Sequence, residues 1–341
     1  MLDTITLLPT LDEIREAQKL VYSVMQPTPQ ISWPLLNQRL EANVWVKHEN
    51  HTPTGAFKAR TAIAYAAELF KHATGIKGLI TATRGNHGQS VALAGQRFNV
   101  PVTIVVPYGN CAEKNASMRA QGATLIEFGD DYQEAREHAR KLAAEQSLHF
   151  VPGYHRDIVK GVASYWVELF EAVPDLEVVY VPIGMGSGIC AACAVRNGMG
   201  LSTKTKIVGV CSDGAPAYAL SFAAGKKIEA AVTTVIADGM ACRLPDDEPL
   251  EIIRQNVDHI VLISDEEIRR AMKIYFTDTH NAVEGAGAAS LAAALKEKAV
   301  LKGKRVGLIL SGGNVEHATF ARVLLDPALP DEAAPPFPEN A

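Results

Sequence analysis

The stretch HTPTGAFKAR, residues 51–60, decides how the rest of the chain is interpreted. Its Pro-Thr-Gly turn follows a short apolar strand predicted at residues 44–47. Thr54 is a typical N-cap for the helix predicted to follow. Lys58 then lies in the first turn, where the positive end of the helix dipole opposes its charge. We therefore expect a lowered pKa and a better amine nucleophile, whereas the alternative is an ordinary surface lysine beside a turn.

A second stretch, TRGNHGQS at residues 83–90, lies between the end of a predicted strand and the start of a helix. Backbone N–H groups at such a position are free to bind an anion. Asn86 adds an amide that suits a phenolic or carbonyl oxygen. From these residues alone, a glycine turn with an asparagine cap is an equally good interpretation.

A third stretch, GMGSGI at residues 184–189, also joins a predicted strand to a helix. Alternating glycines let the backbone approach a phosphate closely, and the helix N-terminus supplies donors. A dinucleotide-binding turn is the rival interpretation, but Ile189 stands where the third glycine of G-x-G-x-x-G should be. The next strand also ends without an acidic residue, although Asp213 lies just beyond it. The pattern therefore favours a phosphate site.

The fourth stretch, SGGNV at residues 311–315, directly follows another apolar run. Ser311 would place a hydroxyl at the carboxyl edge of a sheet, where open α/β sheets bind their ligands. In isolation, the same four residues would be an ordinary chain reversal.

Length and composition exclude several classes of protein. The 341 residues, 48% of them hydrophobic, are enough for two domains. A net charge of -5 without a basic stripe argues against a nucleic-acid partner. The chain has no apolar run of membrane-spanning length and no signal pattern, so no membrane association is expected. Five cysteines, an odd number, predict the reducing cytoplasm, and Cys190 and Cys193 are interpreted as packing residues of a helix.

Short apolar runs alternate with helical patterns along most of the chain, which predicts an α/β protein with parallel sheets covered on both faces. Thr10 and Glu13 form a capping box that predicts an N-terminal helix. From Asp326 onward no apolar face remains, and a disordered tail is expected. Besides residues 44–47, the predicted strands are 79–83, 102–107, 124–128, 178–183, 207–211 and 306–310.

Together the four stretches resemble the fold-type II pyridoxal-phosphate enzymes, and within them the serine/threonine dehydratase and serine racemase branch. The resemblance covers about residues 5–325, with further matches in IADG at 236–239 and EGAGA at 284–288. It implies two domains, each with a mostly parallel open sheet covered by helices, as in the tryptophan synthase β fold. Residues 1–77 and 153–326 would form the large cofactor-binding domain. Residues 78–152 would form the inserted small domain, and 327–341 the tail.

The resemblance also implies roles for the site residues. Lys58 would be the Schiff-base lysine and the base that removes the substrate α-proton. Asn86 would bond the ring hydroxyl of pyridoxal 5'-phosphate, and Ser311 would face its pyridine nitrogen. The cofactor phosphate would be held by Gly184, Met185, Gly186, Ser187 and Gly188. The substrate carboxylate would be received by Thr83, Arg84, Gly85 and His87.

The implied reaction is elimination from a β-hydroxy amino acid, first threonine or serine, to a 2-oxo acid and ammonia. A neutral serine at the ring nitrogen makes a weaker electron sink and favours prompt loss of the β-hydroxyl. The alternatives are 3-hydroxyaspartate or phenylserine as substrate, an amino-acid racemase, a ligand-binding regulatory module, or a nicotinamide-dependent oxidoreductase. Arg84 stands where racemase-like members have a second serine, which argues against racemisation. Its side chain either pairs with a substrate carboxylate or points away.

The remaining expectations concern metals, assembly and Glu284. Some relatives bind a divalent cation through Glu-Pro, but this chain has Cys211 and Ser212 there, so no metal is expected, and Asp213 alone is weak support for one. A homodimer or larger homo-oligomer in the cytoplasm is expected. Glu284 either caps its helix or lies near the cofactor.

Overall fold

Residues 7–329 are described in a computed structural model and form two sheets covered by helices. The larger sheet contains, in spatial order, β1 (Gln30–Ser32), β2 (Asn43–His48), β10 (Arg305–Leu310), β7 (Val178–Pro182), β8 (Lys206–Ser212) and β9 (His259–Ile263). The smaller sheet contains β5 (Thr124–Glu127), β4 (Val102–Val106), β3 (Leu79–Ala82) and β6 (His149–Phe150). Every strand pair is parallel except β1 with β2. The predicted α/β fold class is therefore confirmed.

Helices connect the parallel strands, as such sheets require. Around the larger sheet these are α1 (Leu11–Tyr22), α2 (Pro34–Leu40), α3 (Ala59–His72), α7 (Arg156–Ala172), α8 (Ser187–Gly198), α9 (Ala217–Ala224), α10 (Asp247–Asn256), α11 (Asp265–Thr279), α12 (Gly285–Lys296), α13 (Lys298–Leu301) and α14 (His317–Leu325). The smaller sheet carries α4 (Asn86–Phe98), α5 (Ala112–Ala120) and α6 (Tyr132–Gln146). The capping box predicted at Thr10 and Glu13 is present at the start of α1.

All seven predicted strands are present to within one or two residues at each end. Three strands were missed. β1 is a three-residue edge strand in a Pro-rich segment, and β6 has two residues, so neither has a readable pattern. β9 does have a recognisable sequence pattern, because its apolar run is followed by the Ser264 capping box that starts α11.

The four strands of the smaller sheet all lie between residues 79 and 150, with the larger sheet built from the chain on both sides. We keep the division at residues 78–152 as a proposal. The chain stays packed beyond Asp326, contrary to expectation, because Leu329 is buried and its carbonyl accepts a hydrogen bond from Lys273 at 3.0 Å. The rest of the predicted tail, residues 330–341, lies outside the described residues.

The interpretation of Cys190 and Cys193 as packing residues agrees with the structure. Both side chains are fully buried in α8 within the main apolar core. Burial raises the pKa of Cys193 to about 12, which makes the thiolate rare. In the stretch from residue 7 to residue 329, no helix is long and apolar enough to cross a membrane.

A buried network of charges lies beneath the start of α3. Arg60 donates to both carboxylate oxygens of Glu49, at 2.8 and 3.0 Å, and to Glu168 of α7 at 2.6 Å. Lys47 of β2 donates to the same Glu168 at 2.6 Å. Two cations thus balance two carboxylates, and all four side chains are almost inaccessible to water. Removing one member would leave an uncompensated buried charge.

We predict that Arg60→Met lowers the free energy of unfolding by about 3–5 kcal/mol, because Glu49 and Glu168 remain buried without their partner. Arg15→Met is the matched control, since Arg15 pairs with Glu171 at 2.7 Å with both side chains about half exposed. That pair should contribute less than about 1 kcal/mol. Denaturant unfolding measures both values, and equal losses in the two variants would contradict the prediction.

Candidate active site

Three strands of the larger sheet end at one edge, and each is followed by one of the glycine-containing stretches. Leu310 of β10 pairs with His48 of β2, so Glu49 and Ser311 leave the sheet at the same level. Pro182 of β7 is in register with β8 at the same edge. This is the carboxyl edge of the parallel strands, where open α/β sheets bind ligands. The structure therefore brings these stretches together.

The turn before Lys58 differs from the prediction. Helix α3 begins at Ala59 with Lys58 in the N-cap position, so Thr54 is not the cap. The hydroxyl of Thr52 instead closes the turn, accepting from the amide of Ala56 at 3.0 Å and donating to its carbonyl at 2.7 Å. Gly55 adopts φ +69°, a conformation that favours glycine. The helix therefore starts four residues later than a cap at Thr54 implies.

The Lys58 amine lies over the ring of Phe57, 5.0 Å from its centre. Its side chain keeps some accessible surface, yet no group within residues 7–329 is a hydrogen-bond partner of Nζ. The surrounding protein removes enough water to lower its pKa to about 8. The direction agrees with the expectation, but the cause is burial rather than the dipole of the helix. The Lys58 carbonyl is held by the hydroxyls of Thr61 and Ser90.

The stretch 83–87 forms the N-terminus of α4. The Thr83 hydroxyl accepts from the amide of Gly85 at 3.0 Å. The amides of Asn86 and His87 find no acceptor among the described residues, so they are free to bind an anion. Burial and the charge of Lys58 lower the pKa of His87 to about 3, which keeps its ring neutral. The side chain of Arg84 is exposed and makes no hydrogen bond within residues 7–329.

Asn86 is held by two residues of other stretches. Asn314 Nδ2 donates to Asn86 Oδ1 at 2.8 Å and to the Thr54 carbonyl at 2.8 Å. Asn86 Nδ2 donates to Glu284 Oε1 at 2.6 Å. Glu284 occupies the N-cap position of α12, but its side chain makes no capping hydrogen bond and accepts from Asn86 instead. Burial raises the pKa of Glu284, and Lys114 of α5 opposes this shift.

The glycine stretch 184–188 forms a concave backbone surface between β7 and α8. A Cβ at Gly184 would overlap the carbonyl of Gly239, and Gly186 has φ +96°. The amides of residues 184–189 find no acceptor within residues 7–329. Their donors point out of the N-terminus of a helix of 12 residues, which suits an anion such as phosphate. Met185, Ser187 and Gly188 belong to the same turn, and Ser187 is buried.

Ser311 and Tyr165 connect the Lys58 turn to the other two stretches of the larger sheet. The carbonyl of Ser311, a buried residue, accepts from the amide of Phe57 at 2.9 Å. The Phe57 ring meets Tyr165 edge-on at 6.3 Å between centroids. The Tyr165 hydroxyl is 3.9 Å from the point where a Cβ on Gly188 would stand. Phe57 and Tyr165 therefore connect the turn before Lys58 with Ser311 and with the glycine stretch.

Sequence reasoning missed two charged residues in this region. Lys114 packs on Gly85, and its amine is 3.8 Å from a carboxylate oxygen of Asp238. Both groups affect the pKa of Glu284. Asp238 lies in a stretch that was noted only as a family match, and nothing local marks Lys114. Their proximity depends on how the two sheets are placed.

No cluster of candidate metal ligands is found where the structure describes the chain, from residue 7 to 329. Asp213 is exposed at the end of β8. The neighbouring Cys211 is buried, and burial raises its pKa to about 12.

Comparison with known proteins identifies the class. Residues 21–312 match the family described as pyridoxal-phosphate dependent enzyme, and the chain belongs to that family. A relative is the L-threo-3-hydroxyaspartate ammonia-lyase of Saccharomyces cerevisiae, 33% identical, with 93% of this chain and 97% of that protein covered. Another is the L-threonine ammonia-lyase of Thermotoga maritima, 32% identical, with 92% and 78% covered. The structure of maize serine racemase has a TM-score of 0.84 and 29% identity over 92% of this chain and 96% of the other. The resemblance to this branch and the predicted cofactor are confirmed.

The residues present fit pyridoxal 5'-phosphate. The Lys58 amine has no hydrogen-bond partner within residues 7–329 and a lowered pKa, as a group that bonds to the cofactor aldehyde requires. The turn at 184–188 follows a path that side chains at Gly184 and Gly186 would obstruct, and its amides are free for a phosphate. These two features accommodate the two ends of the cofactor.

We predict that cofactor loading of the apoprotein slows by about tenfold for each pH unit below 7, because only the neutral Lys58 amine reacts. The rate should level off above the pKa of about 8. Stopped-flow absorbance measures loading, with a simple alkylamine as the reference for the cofactor's own titration. A rate that still rises steeply between pH 9 and 10, relative to that reference, would indicate an ordinary lysine.

Proposed function

We propose that the protein is a lyase that eliminates the β-hydroxyl of an amino acid and releases a 2-oxo acid and ammonia. The observation that carries the proposal is the Lys58 amine, which has no hydrogen-bond partner within residues 7–329 and whose pKa is lowered to about 8. The two ammonia-lyases among the relatives support the type of reaction. Threonine and serine remain the first substrates to test.

The cofactor, when bound, supplies the electron sink that makes the α-proton of the substrate acidic. Lys58 Nζ takes that proton, because a neutral amine with a pKa near 8 is free to accept it, and the proton then goes to the departing β-hydroxyl, which leaves as water. The hydroxyls of Ser90 and Thr61 hold the Lys58 carbonyl, which keeps the base of the side chain in place.

Two sets of free amides bind the two anionic groups. We assign the substrate carboxylate to the amides of Asn86 and His87, with the buried Thr83 hydroxyl beside them. We assign the cofactor phosphate to the amides of residues 184–188, with the neighbouring carbonyls of Met185 and Gly188 turned to Tyr218 and Trp166. Neutral His87 adds no charge that would compete for the carboxylate.

Ser311 is assigned to the ring nitrogen of the cofactor. Its hydroxyl is neutral and cannot stabilise a proton on that nitrogen as a carboxylate would. The site then withdraws electrons less strongly, which favours departure of the β-hydroxyl over return of the α-proton. This argument supports elimination over racemisation. Racemisation is the second candidate function because the structure is similar to that of maize serine racemase.

We also propose a homo-oligomer in the cytoplasm. All five cysteines are unpaired, as is usual in a reducing compartment.

The direct test is a 2-oxo acid assay of the holoenzyme with L-threonine, L-serine, L-threo-3-hydroxyaspartate and phenylserine. At least one should yield 2-oxo acid and an equal amount of ammonia, and Lys58→Ala should yield neither. Absence of 2-oxo acid from all four, together with loss of optical activity, would identify a racemase and overturn the proposal.

Arg84 tests how the carboxylate is bound. Because its side chain is exposed, Arg84→Ala should keep kcat/KM within about fivefold for every active substrate, as expected for an exposed charge. Arg97→Ala, an exposed arginine at the far end of α4, is the matched control. An equal large loss on all substrates would assign Arg84 to the α-carboxylate. A loss confined to 3-hydroxyaspartate would assign it to the substrate side chain.

A further inference from the structure

We propose that Asn314 and Glu284 are positioning residues that determine the orientation of the Asn86 side-chain amide, that is, the positions of its oxygen and its nitrogen. In the orientation they select, the nitrogen of Asn86 is presented to the ring hydroxyl of the cofactor, and the oxygen is not. The inference rests on the role proposed above for Asn86 and goes beyond it, because it assigns two residues that do not touch the reacting atoms.

The direction of the hydrogen bonds begins at a backbone carbonyl. The Thr54 carbonyl can only accept, so the atom of Asn314 that lies 2.8 Å from it must be the amide nitrogen. That nitrogen has two hydrogens, and the second is directed to Asn86 at 2.8 Å. The Asn86 atom that receives it must therefore be the oxygen.

The other side of Asn86 is then determined as well. Its nitrogen faces Glu284 and donates one hydrogen to Oε1 at 2.6 Å. The second hydrogen of that nitrogen has no acceptor within residues 7–329 and remains for a ligand. A reversed amide would place two acceptors together at Glu284 and two donors together at Asn314. Both hydrogen bonds would be lost, so the reversed orientation is strongly disfavoured.

Each positioning residue packs closely against a glycine. A Cβ on Gly55 would stand 2.6 Å from Asn314 Oδ1, and a Cβ on Gly312 would overlap Glu284 Oε1. Both side chains thus lie directly on glycine backbone. The amide of Gly313 also donates to the Gly55 carbonyl at 2.9 Å, which ties the two turns together. Glycines at 55 and 312 are therefore needed for the positioning, in addition to any need for turn geometry.

Burial raises the pKa of Glu284, and even a protonated carboxyl keeps an oxygen that can accept from Asn86. Lys114 and Asp238 are the charged groups that influence it, and they oppose each other. A glutamine at position 284 would keep an oxygen that can accept from Asn86, whereas a leucine of similar size would not. The two substitutions therefore separate hydrogen-bond acceptance from side-chain volume.

The first experiment compares the holoenzymes of Asn314→Asp, Glu284→Gln and Glu284→Leu. Aspartate at 314 replaces both donors by acceptors, so Asn314→Asp and Glu284→Leu should shift the visible absorption maximum of the bound cofactor. Both should lower kcat at least about tenfold with KM little changed, since hydrogen bonds to the ring are lost. Glu284→Gln should restore the parent spectrum and should lower kcat much less than Glu284→Leu does. The matched control is Asn197→Asp, an exposed residue whose amide donates to Asn256 at 2.7 Å far from the site.

A double-mutant cycle provides the second test and does not depend on how well one variant folds. If Asn314 acts through Asn86, Asn314→Asp should lower kcat no further in an Asn86→Ala background than Asn86→Ala does alone. Independent, multiplying losses would overturn the proposal. It would also be overturned by a parent-like spectrum and kcat in Asn314→Asp, or by equal losses in Glu284→Gln and Glu284→Leu.

The spectra are recorded without substrate, so they are informative even if the proposed reaction is wrong. A spectral shift in Asn314→Asp, combined with no 2-oxo acid from the parent enzyme, would leave the positioning in place and reject the lyase. If the parent enzyme is active and Asn314→Asp changes neither the spectrum nor kcat, the lyase is supported and the positioning role is rejected.

Discussion

The bidentate pair between Arg60 and Glu49 is the constraint on which the active site depends. The two residues flank segment 50–59, which contains the turn and Lys58, so their pair closes this segment at its base. Both side chains are fully buried, and the guanidinium meets both carboxylate oxygens at 2.8 and 3.0 Å. A planar fork and a carboxylate fit in few relative orientations. The pair therefore fixes the position of the chain after β2 relative to the start of α3.

The same network explains why Lys58 can be neutral. Arg60 and Lys47 balance Glu49 and Glu168, so neither of these two carboxylates is left to pair with the Lys58 amine. Loss of hydration then acts on Lys58 without opposition, and its pKa falls to about 8. An unpaired carboxylate nearby would raise that pKa instead. The ion-pair network at the start of α3 thus balances the buried charges and also allows the pKa of Lys58 to fall.

The site also depends on how the two sheets are placed. The free amides at residues 86 and 87 belong to the smaller sheet, and those at 184–188 belong to the larger one. A ligand with two anionic ends would bridge them beside Lys58. Asn86, at the start of α4 beside the smaller sheet, makes hydrogen bonds to Glu284 and Asn314, which belong to the part of the chain that builds the larger sheet. The hydrogen bonds of Asn86 therefore influence the distance between the two anion-binding regions as well as its own orientation.

The sequence by itself determined the seven strands, the α/β class and the four stretches at strand ends, because each has a local signal in apolar runs, glycines and caps. Only the tertiary structure decided which partners these stretches meet. Asn86 reaches Glu284 across 198 positions and Asn314 across 228, and no local pattern records such contacts. The start of α3 at Ala59, the exposure of Arg84 and the isolation of Lys58 also depended on tertiary packing. Burial and hydrogen-bond partners depend on distant segments, whereas turns and strand periodicity depend on neighbours in the chain.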